Sequence, residues 1–230
     1  MSVGRTFRPL ELYDILASLI PGTTILMAVA VVFEIEQYIQ ISGGIIVGVF
    51  FIIGYIFGHV VQAVASQLDG TPTLFGTVVR VSKGEEVDDV SIPITHVEEA
   101  VWPLIKRKFA LPDEFENHGE MFRLLLSYIE TTPATRALRF QALHSFHRSM
   151  WAAWHLIIGL IVVGAGLKLF NVGAIRSWPI LGVSIGGALL GIVVFKSRKE
   201  KFNRRFIQYA IVDFYSDQVD ELEFDIQCAE

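Results

Sequence analysis

The sequence predicts a mainly α-helical, multi-pass membrane protein with four transmembrane helices in two hairpins and a mostly helical cytoplasmic insert. Hydrophobic residues make up 52% of the 230 residues, and the mean hydropathy of +0.49 is higher than one ordinary soluble domain would have. The apolar residues are concentrated in four windows, and all 19 Lys and Arg residues lie outside them. A net charge of −5 with clustered basic residues provides no overall positive field for nucleic acid.

Each of the four windows is long enough to span a bilayer, because a spanning helix needs about 20 mostly apolar residues. The windows run from Ile15 to Phe33, from Ile45 to Ser66, from Met150 to Leu167 and from Trp178 to Phe195. Short segments join the first window to the second and the third to the fourth, which predicts two helical hairpins. The first apolar run is too long for a signal-peptide core, so we expect it to be retained as a span.

The basic residues predict the orientation in the membrane. Arg5 and Arg8 precede the first window, nine Lys or Arg residues separate the second from the third, and six follow the fourth. The opposite side carries Lys168 and Arg176 alone. Because loops rich in Lys and Arg tend to stay in the cytoplasm, both termini are predicted to be cytoplasmic.

The chain is thus predicted to consist of four segments: a transmembrane hairpin (1–66), a cytoplasmic insert (67–149), a second hairpin (150–195) and a cytoplasmic helical tail (196–230). Within the insert, TVVRVS (77–82) and VSIPI (90–94) alternate enough to predict a small β-hairpin. Thr95 and Glu98 have capping-box spacing, so a helix is expected to start there and to end or bend near Pro103. A later helix is expected to continue into the third span without interruption before Asn171.

A stripe of polar residues interrupts the second span. Tyr55, His59, Gln62 and Ser66 are separated by 4, 3 and 4 residues, which places them within one narrow sector of a helix surface. We call this set the polar stripe. By position along their spans, His59, Pro21 of the first span and His155 of the third are expected at a similar depth.

Two interpretations of the polar stripe remain open. It can supply hydrogen bonds between helices, with Pro21 freeing a carbonyl that a neighbouring side chain satisfies. Alternatively, it faces a water-filled path, and with His155 it lines or gates a pore. A histidine metal site is less favoured because no carboxylate or cysteine lies at the same depth, and no Asp or Glu inside a span supports a proton relay.

Glycines at four-residue spacing form the second notable pattern, because small residues allow two helix backbones to approach closely. They lie in GYIFG of the second span and in GVSIG and GALLG of the fourth, at Gly54, Gly58, Gly182, Gly186, Gly187 and Gly191. Packing within the chain is the preferred interpretation, and packing between copies is the alternative. Four spans are too few to enclose a conduit, so a pore would require several copies, with a tetramer as the working assumption.

Basic residues are frequent just before the third span, in RALRFQALHSFHRSM. Arg136, Arg139, His144, His147 and Arg148 are predicted to contact lipid headgroups. A pocket for a phosphate-bearing ligand, such as a nucleotide-derived signal, is the alternative because guanidinium groups match phosphate geometry. No glycine-rich phosphate loop accompanies them, and the sequence contains no strong indication of nucleic-acid binding.

The sequence does not predict an enzyme. The chain carries no nucleophile motif, and the single cysteine, Cys228, excludes an intrachain disulfide and a cysteine-based zinc site. No catalytic residues, no cofactor and no metal are therefore expected.

The combination of LIPG in the first span, GYIFGH in the second, a cytoplasmic insert and RFQALHSFHRSM before the third span resembles a group of small prokaryotic four-span membrane proteins. Some of these look like the membrane effectors or sensors of antiphage defence systems of the Hailong or Kiwa kind. The resemblance implies an oligomeric assembly, channel-like in the effectors, that is controlled by a partner protein or a nucleotide-derived signal. It identifies no functional residue in this chain.

The preferred function is accordingly an oligomeric inner-membrane channel-like effector that a cytoplasmic signal or partner opens, in antiphage defence. The alternative is a membrane sensor or scaffold that binds a cytoplasmic partner protein and conducts nothing. Besides the lipid bilayer, the expected partners are further copies of the chain and a cytoplasmic protein or nucleotide-derived ligand.

Overall fold

The computed structural model describes residues 9–35, 43–68, 95–132, 136–173 and 175–229. These residues form six helices and contain no strand. The helices are α1 (Pro9–Val32), α2 (Gly43–Leu68), α3 (Thr95–Lys108), α4 (His118–Thr131), α5 (Arg136–Leu169) and α6 (Trp178–Ala229). The mainly α-helical class is therefore confirmed, whereas the segments predicted to form a β-hairpin, 77–82 and 90–94, lie outside the described residues.

Three helices are long and apolar enough to cross a membrane: Ile46–Leu68, Arg136–Leu169 and Trp178–Gln218. They correspond to the second, third and fourth predicted spans. In α1, the apolar helix Ala17–Val32 is shorter than the other three. The chain is thus a membrane protein with three candidate spans among the described residues.

The helix boundaries follow local sequence signals. α3 begins at Thr95, as the sequence predicts, but it continues through Pro103 to Lys108 instead of ending near the proline. α4 begins after Asn117, whose side-chain oxygen accepts a hydrogen bond of 3.3 Å from the Glu120 backbone N–H. Such a cap satisfies one of the free N–H groups of the first turn.

α5 is uninterrupted over 34 residues, which corresponds to about 51 Å. It ends at Leu169, and Asn171 then adopts a left-handed conformation with φ 54°. The Val172 N–H donates to the Leu167 carbonyl at 2.9 Å, closing the last turn. The expected absence of a break before Asn171 is confirmed, and α6 likewise continues without a break over 52 residues.

α1 accommodates Pro21 within its length. Proline lacks the N–H that would bond one turn back, so backbone groups near it need other partners. The Thr23 and Thr24 hydroxyls donate to the carbonyls of Leu19 and Ile20 at 2.8 and 2.7 Å. These bonds satisfy the two threonine hydroxyls inside α1 itself. The carbonyl that Pro21 leaves without its helical N–H is that of Ala17, four residues earlier.

The chain divides into two compact units. The apolar unit comprises Met1–Asp69 and Ala142–Lys201, and the polar unit comprises Gly70–Gln141 and Phe202–Glu230. Two of the three boundaries therefore fall within helices α5 and α6.

The apolar unit is held together by a core of aliphatic side chains. Its fully or almost fully buried members come from α1, α2, α5, α6 and the α5–α6 connection: Ile25, Val32, Val61, Ala65, Ala152, Ala153, Ile157, Ile161, Ile175, Leu181 and Ala188. Two of the four core residues that α5 contributes are alanines, and such small side chains allow close approach of the helices.

Polar contacts fasten the C-terminal end of α1 to the α5–α6 connection. The Arg176 backbone N–H donates to the Val32 carbonyl at 3.1 Å, and its Nε donates to the Val31 carbonyl at 3.2 Å. The same Nε lies 3.6 Å from a carboxylate oxygen of Glu34. These bonds satisfy carbonyls that the end of a helix leaves without partners in its own backbone.

The polar unit packs α3, α4, the start of α5 and the second half of α6 around its own core. Its buried side chains include Ile105, Met121, Leu125, Ile129, Ala137, Ile207, Ala210, Ile211 and Phe214. Within this unit, aromatic side chains of the predicted tail pack on those of the predicted insert: Phe214 contacts the Tyr128 ring, and Tyr209 stacks on Phe140 at 4.8 Å between ring centroids.

Candidate functional site: the polar stripe of α2

Glycines set the orientation of α2 in the apolar unit. A Cβ on Gly58 would lie 1.8 Å from the Ser18 carbonyl oxygen, and one on Gly22 would lie 1.8 Å from the Gly54 carbonyl oxygen. Backbone atoms of α1 and α2 are thus so close that only glycine fits at these positions. Gly54 and Gly58 therefore define the face of α2 that packs on α1.

The polar stripe lies largely away from this contact. Tyr55 is 40% exposed, His59 and Ser66 are also exposed, and Gln62 is partly buried. The Tyr55 and His59 rings meet edge to face with centroids 4.6 Å apart. The Ser66 hydroxyl donates to the Ala63 carbonyl at 2.7 Å, within α2 itself. Three members of the stripe thus present polar groups on the surface of the apolar unit.

His155 of α5 is exposed and has an aromatic neighbour of its own. Its Nδ1 lies 2.8 Å from the Trp151 carbonyl oxygen, and its ring meets the Trp151 ring at 4.5 Å. Because Nδ1 is engaged with the backbone, Nε2 is the nitrogen left to bind water or an ion. Among the described residues, His, Cys, Asp and Glu form no group of three or more that would hold a metal ion.

The glycines of α6 differ from one another. A Cβ on Gly191 would lie 2.5 Å from the Trp154 ring, so Gly191 provides the space for this indole of α5. A Cβ on Gly182, Gly186 or Gly187 would meet no atom within 4 Å. Within the described chain, these three glycines therefore do not bring two helices together, contrary to the preferred interpretation of the sequence.

The basic segment before the third apolar window contributes to both units. In the apolar unit, His144 Nδ1 lies 3.1 Å from the Lys199 carbonyl oxygen, and His147 Nδ1 lies 2.7 Å from the Leu143 carbonyl oxygen. His147 precedes the apolar run that begins at Met150. Burial lowers the pKa of His147, and the nearby Arg198 charge lowers it further, although the hydrogen bond to Leu143 opposes both.

In the polar unit, Arg136 is paired with an acidic residue. Its Nε and Nη2 both bond one Asp213 carboxylate oxygen, at 3.0 and 2.8 Å, and the guanidinium lies 5.0 Å from the Tyr209 ring centroid. The second Asp213 oxygen accepts from the Ala137 N–H at 3.2 Å. Arg136 thus has a structural role, although its side chain is 59% exposed. Arg139 is exposed as well.

A cleft of about 550 Å³ lies in the polar unit, between the end of α3 and the loop that leads to α4. Its walls carry Trp102, Phe115 and Met121 together with Lys106, Arg107, Asp113 and Glu116. Lys106 Nζ donates to the Asp113 carbonyl, which ties the loop to α3. The cleft therefore combines aromatic surface with charges of both signs.

Several important residues are not evident from the sequence. Ser18 and Gly22 provide the α1 side of the closest helix contact, and the buried Lys199 packs over the Trp151 ring at 4.4 Å. The small residues Ser18 and Gly22 are four positions apart, a spacing that could have identified this face of α1. Lys199 lies in a run of basic residues, and nothing in that run distinguishes a buried member from an exposed one.

Comparisons with protein-family models, with curated proteins and with solved structures find no match to this chain.

Proposed function

We propose that the chain is a subunit of a homo-oligomeric membrane channel, in which the polar stripe of α2 lines part of a path shared between copies. The observation that carries this proposal is the exposure of Tyr55 and His59 on a helix that is apolar enough to span a bilayer. Hydroxyl and imidazole groups that face hydrocarbon lose hydrogen bonds to water, which is unfavourable. A water-filled axis between several copies would supply those bonds.

The burial of α2 and α6 supports an assembly of several copies. In each helix, only 17% of the most apolar window is buried within the chain. The remaining surface must be covered by lipid or by neighbouring copies, and the open Gly182, Gly186 and Gly187 face of α6 suits close packing between copies. We take a tetramer as the simplest closed arrangement.

The proposed topology has four spans, with α1 as the first, and both termini in the cytoplasm of a prokaryotic cell. From Ser18, which contacts Gly58, to Val32 is 14 residues, or about 21 Å along α1. His59 would then lie within the inner third of a hydrocarbon core about 30 Å thick, with Gln62 and Ser66 nearer the cytoplasm. The stripe would thus form the cytoplasmic mouth of the path, with His155 as a further candidate lining residue.

We assign no catalytic activity. The biological setting that we propose is antiphage defence, on the resemblance described above, with a cytoplasmic signal or partner opening the path.

A flux assay tests the channel. Cells that express the chain with its neighbouring gene products and meet phage, the proposed source of the opening signal, are expected to take up a small cation. The double variant His59→Leu/Gln62→Leu is expected to reduce that flux at least about tenfold by removing polar groups from the path. The double variant Ile56→Leu/Val60→Leu, at exposed apolar positions of α2, is the matched control and should retain the flux. Wild-type protein that never permeabilises a membrane, even when the neighbouring gene products and phage are present, would exclude the proposal.

A sensor or scaffold that conducts nothing is the second candidate, and the cleft of the polar unit favours it. Its aromatic surface and mixed charges suit a peptide or a nucleotide-derived ligand from the cytoplasm. A partner protein crosslinked to the full chain in cells should be lost with Arg107→Glu in the cleft and kept with Arg123→Glu, an exposed residue of α4 outside it. Equal retention of the partner by both variants would contradict this site.

A further inference from the structure

The strongest unassigned feature of the apolar unit lies where α5 enters its apolar run and α6 leaves its own. Phe195, the last residue of the fourth predicted span, meets the Phe146 and His147 rings at 6.2 and 5.6 Å. His144 reaches the Lys199 backbone one turn further along. The two helices are therefore side by side at the boundary between apolar and basic sequence.

This boundary has a strong excess of positive charge. Residues 142–153 of α5 and 193–201 of α6 contain five basic residues and one acid, Glu200. The basic residues are Arg148, Lys196, Arg198, Lys199 and Lys201. Such a cluster attracts an anion and repels a cation.

Buried polar atoms without hydrogen-bond partners lie in the adjoining segment 148–154 of α5. Four such atoms have no hydrogen-bond partner among the described residues: Arg148 Nε, Ser149 Oγ, Trp151 Nε1 and Trp154 Nε1. Arginine and tryptophan nitrogens donate and do not accept, so three of these four atoms require an acceptor. Leaving buried donors without one is unfavourable, which makes the segment 148–154 unusual.

Lys199 adds a cation at the same place. It is 5% exposed, and its ammonium lies 4.4 Å from the centroid of the Trp151 ring. The side chain therefore extends from α6 onto the indole of α5, next to the unbonded Trp151 Nε1. Donors and positive charge are thus combined around one indole.

We infer that this boundary binds the phosphate of an anionic phospholipid, which displaces the packing over Arg148 Nε and Trp151 Nε1 so that both donate hydrogen bonds to it, while Arg198 and Lys199 supply charge. A lipid is favoured over a free phosphate because both helices continue from the charged end into apolar runs with exposed side chains, such as Leu156 of α5 and Val194 of α6, that can contact acyl chains. Trp and basic residues are typical of this depth in a bilayer. The inference requires that the chain lies in a membrane, but it does not require that the chain conducts.

Native mass spectrometry of the full chain in an uncharged detergent tests the site, with phosphatidylglycerol and phosphatidylcholine of identical acyl chains as probes. Phosphatidylglycerol is expected to bind at least about tenfold more tightly. Arg148→Gln and Trp151→Phe should each weaken it about tenfold, as expected for loss of one charge-assisted hydrogen bond. Trp151→Phe is the more informative variant because it removes the N–H and keeps an aromatic ring beneath Lys199.

Two variants serve as matched controls. Trp178→Phe changes an exposed indole at the other end of the apolar run, and Arg139→Gln removes an exposed charge of the polar unit. Both should bind phosphatidylglycerol as the wild type does. Arg198→Gln, at an exposed position, should weaken binding about threefold and provides the test if Arg148→Gln does not fold.

Equal affinity for the two lipids, or unchanged affinity in Trp151→Phe and Arg198→Gln, would overturn the inference. Competition by glycerol 3-phosphate at the same concentration as the lipid would also overturn it, because it would identify a site for soluble phosphates. Loss of lipid binding with intact cation flux would separate this site from the proposed channel.

Discussion

At the scale of single residues, backbone contact decides what each glycine contributes. Glycines that share one sequence motif have different surroundings in the structure. Gly58 touches the Ser18 backbone, Gly191 leaves room for the Trp154 indole, and Gly187 faces open space. A side-chain atom that displaces a flexible neighbour is tolerated more easily than one that displaces a backbone, because helices can only move as units.

Gly58→Ala is therefore expected to lower the stability of the apolar unit by about 1–3 kcal/mol, since its Cβ would force α1 away from α2. The midpoint of unfolding in a denaturing detergent, followed by circular dichroism, measures this change. Gly48→Ala in the same helix is the control: a Cβ there meets nothing within 4 Å, so stability should change by less than about 1 kcal/mol, in the stabilising direction. Equal losses in the two variants would contradict a specific α1–α2 contact.

At the scale of helices, long-range polar pairs fix elements that the sequence alone leaves independent. Asp213 of α6 binds the Arg136 side chain and also the Ala137 N–H at the start of α5. The carboxylate thus acts as an N-terminal cap provided by a different helix, and its negative charge suits the positive end of the α5 dipole.

Asp213→Ala is expected to destabilise the polar unit by about 2 kcal/mol, because it removes the cap and leaves the N–H of the buried Ala137 without that partner. Arg136→Gln should cost less than about 1 kcal/mol, since the Arg136 side chain is 59% exposed whereas that of Asp213 is 10% exposed. Hydrogen exchange of the backbone at residues 136–140 and 205–215 measures both changes. A larger loss in Arg136→Gln would show that the ion pair, and not the cap, dominates.

At the scale of the whole molecule, the described chain leaves the polar stripe and most of α2 uncovered, and the proposed assembly is what would cover them. The chain contains a single cysteine, Cys228, so a Cys228→Ser background permits cysteines to be introduced one at a time.

In that background, His59→Cys is expected to form disulfide-linked dimers in native membranes under mild oxidation, because the proposal places this position at an axis shared by several copies. Ala65→Cys is the control on the same helix: Ala65 is fully buried within the chain and should remain monomeric. Gel electrophoresis without reductant distinguishes the two. Absence of crosslinks at His59, Tyr55 and Ser66 alike would exclude an axis lined by the polar stripe.

The sequence by itself determined the features that depend on local composition and spacing. Runs of apolar residues determine the helical membrane class, and the uninterrupted α5 ends before Asn171 because that residue adopts a left-handed conformation at the helix end. Helical periodicity likewise places Tyr55 and His59 on one side of α2, where their rings are in contact. These properties require no knowledge of neighbouring helices.

Only the tertiary structure decided which side of each helix meets which partner. It directs Gly54 and Gly58 towards α1, leaves Tyr55 and His59 exposed, pairs Arg136 with Asp213, and buries Lys199 on Trp151. Periodicity defines a face but not its neighbour, and contacts between residues far apart in the chain depend on how the helices pack. For this reason the polar stripe could be found in the sequence, while its exposure could not.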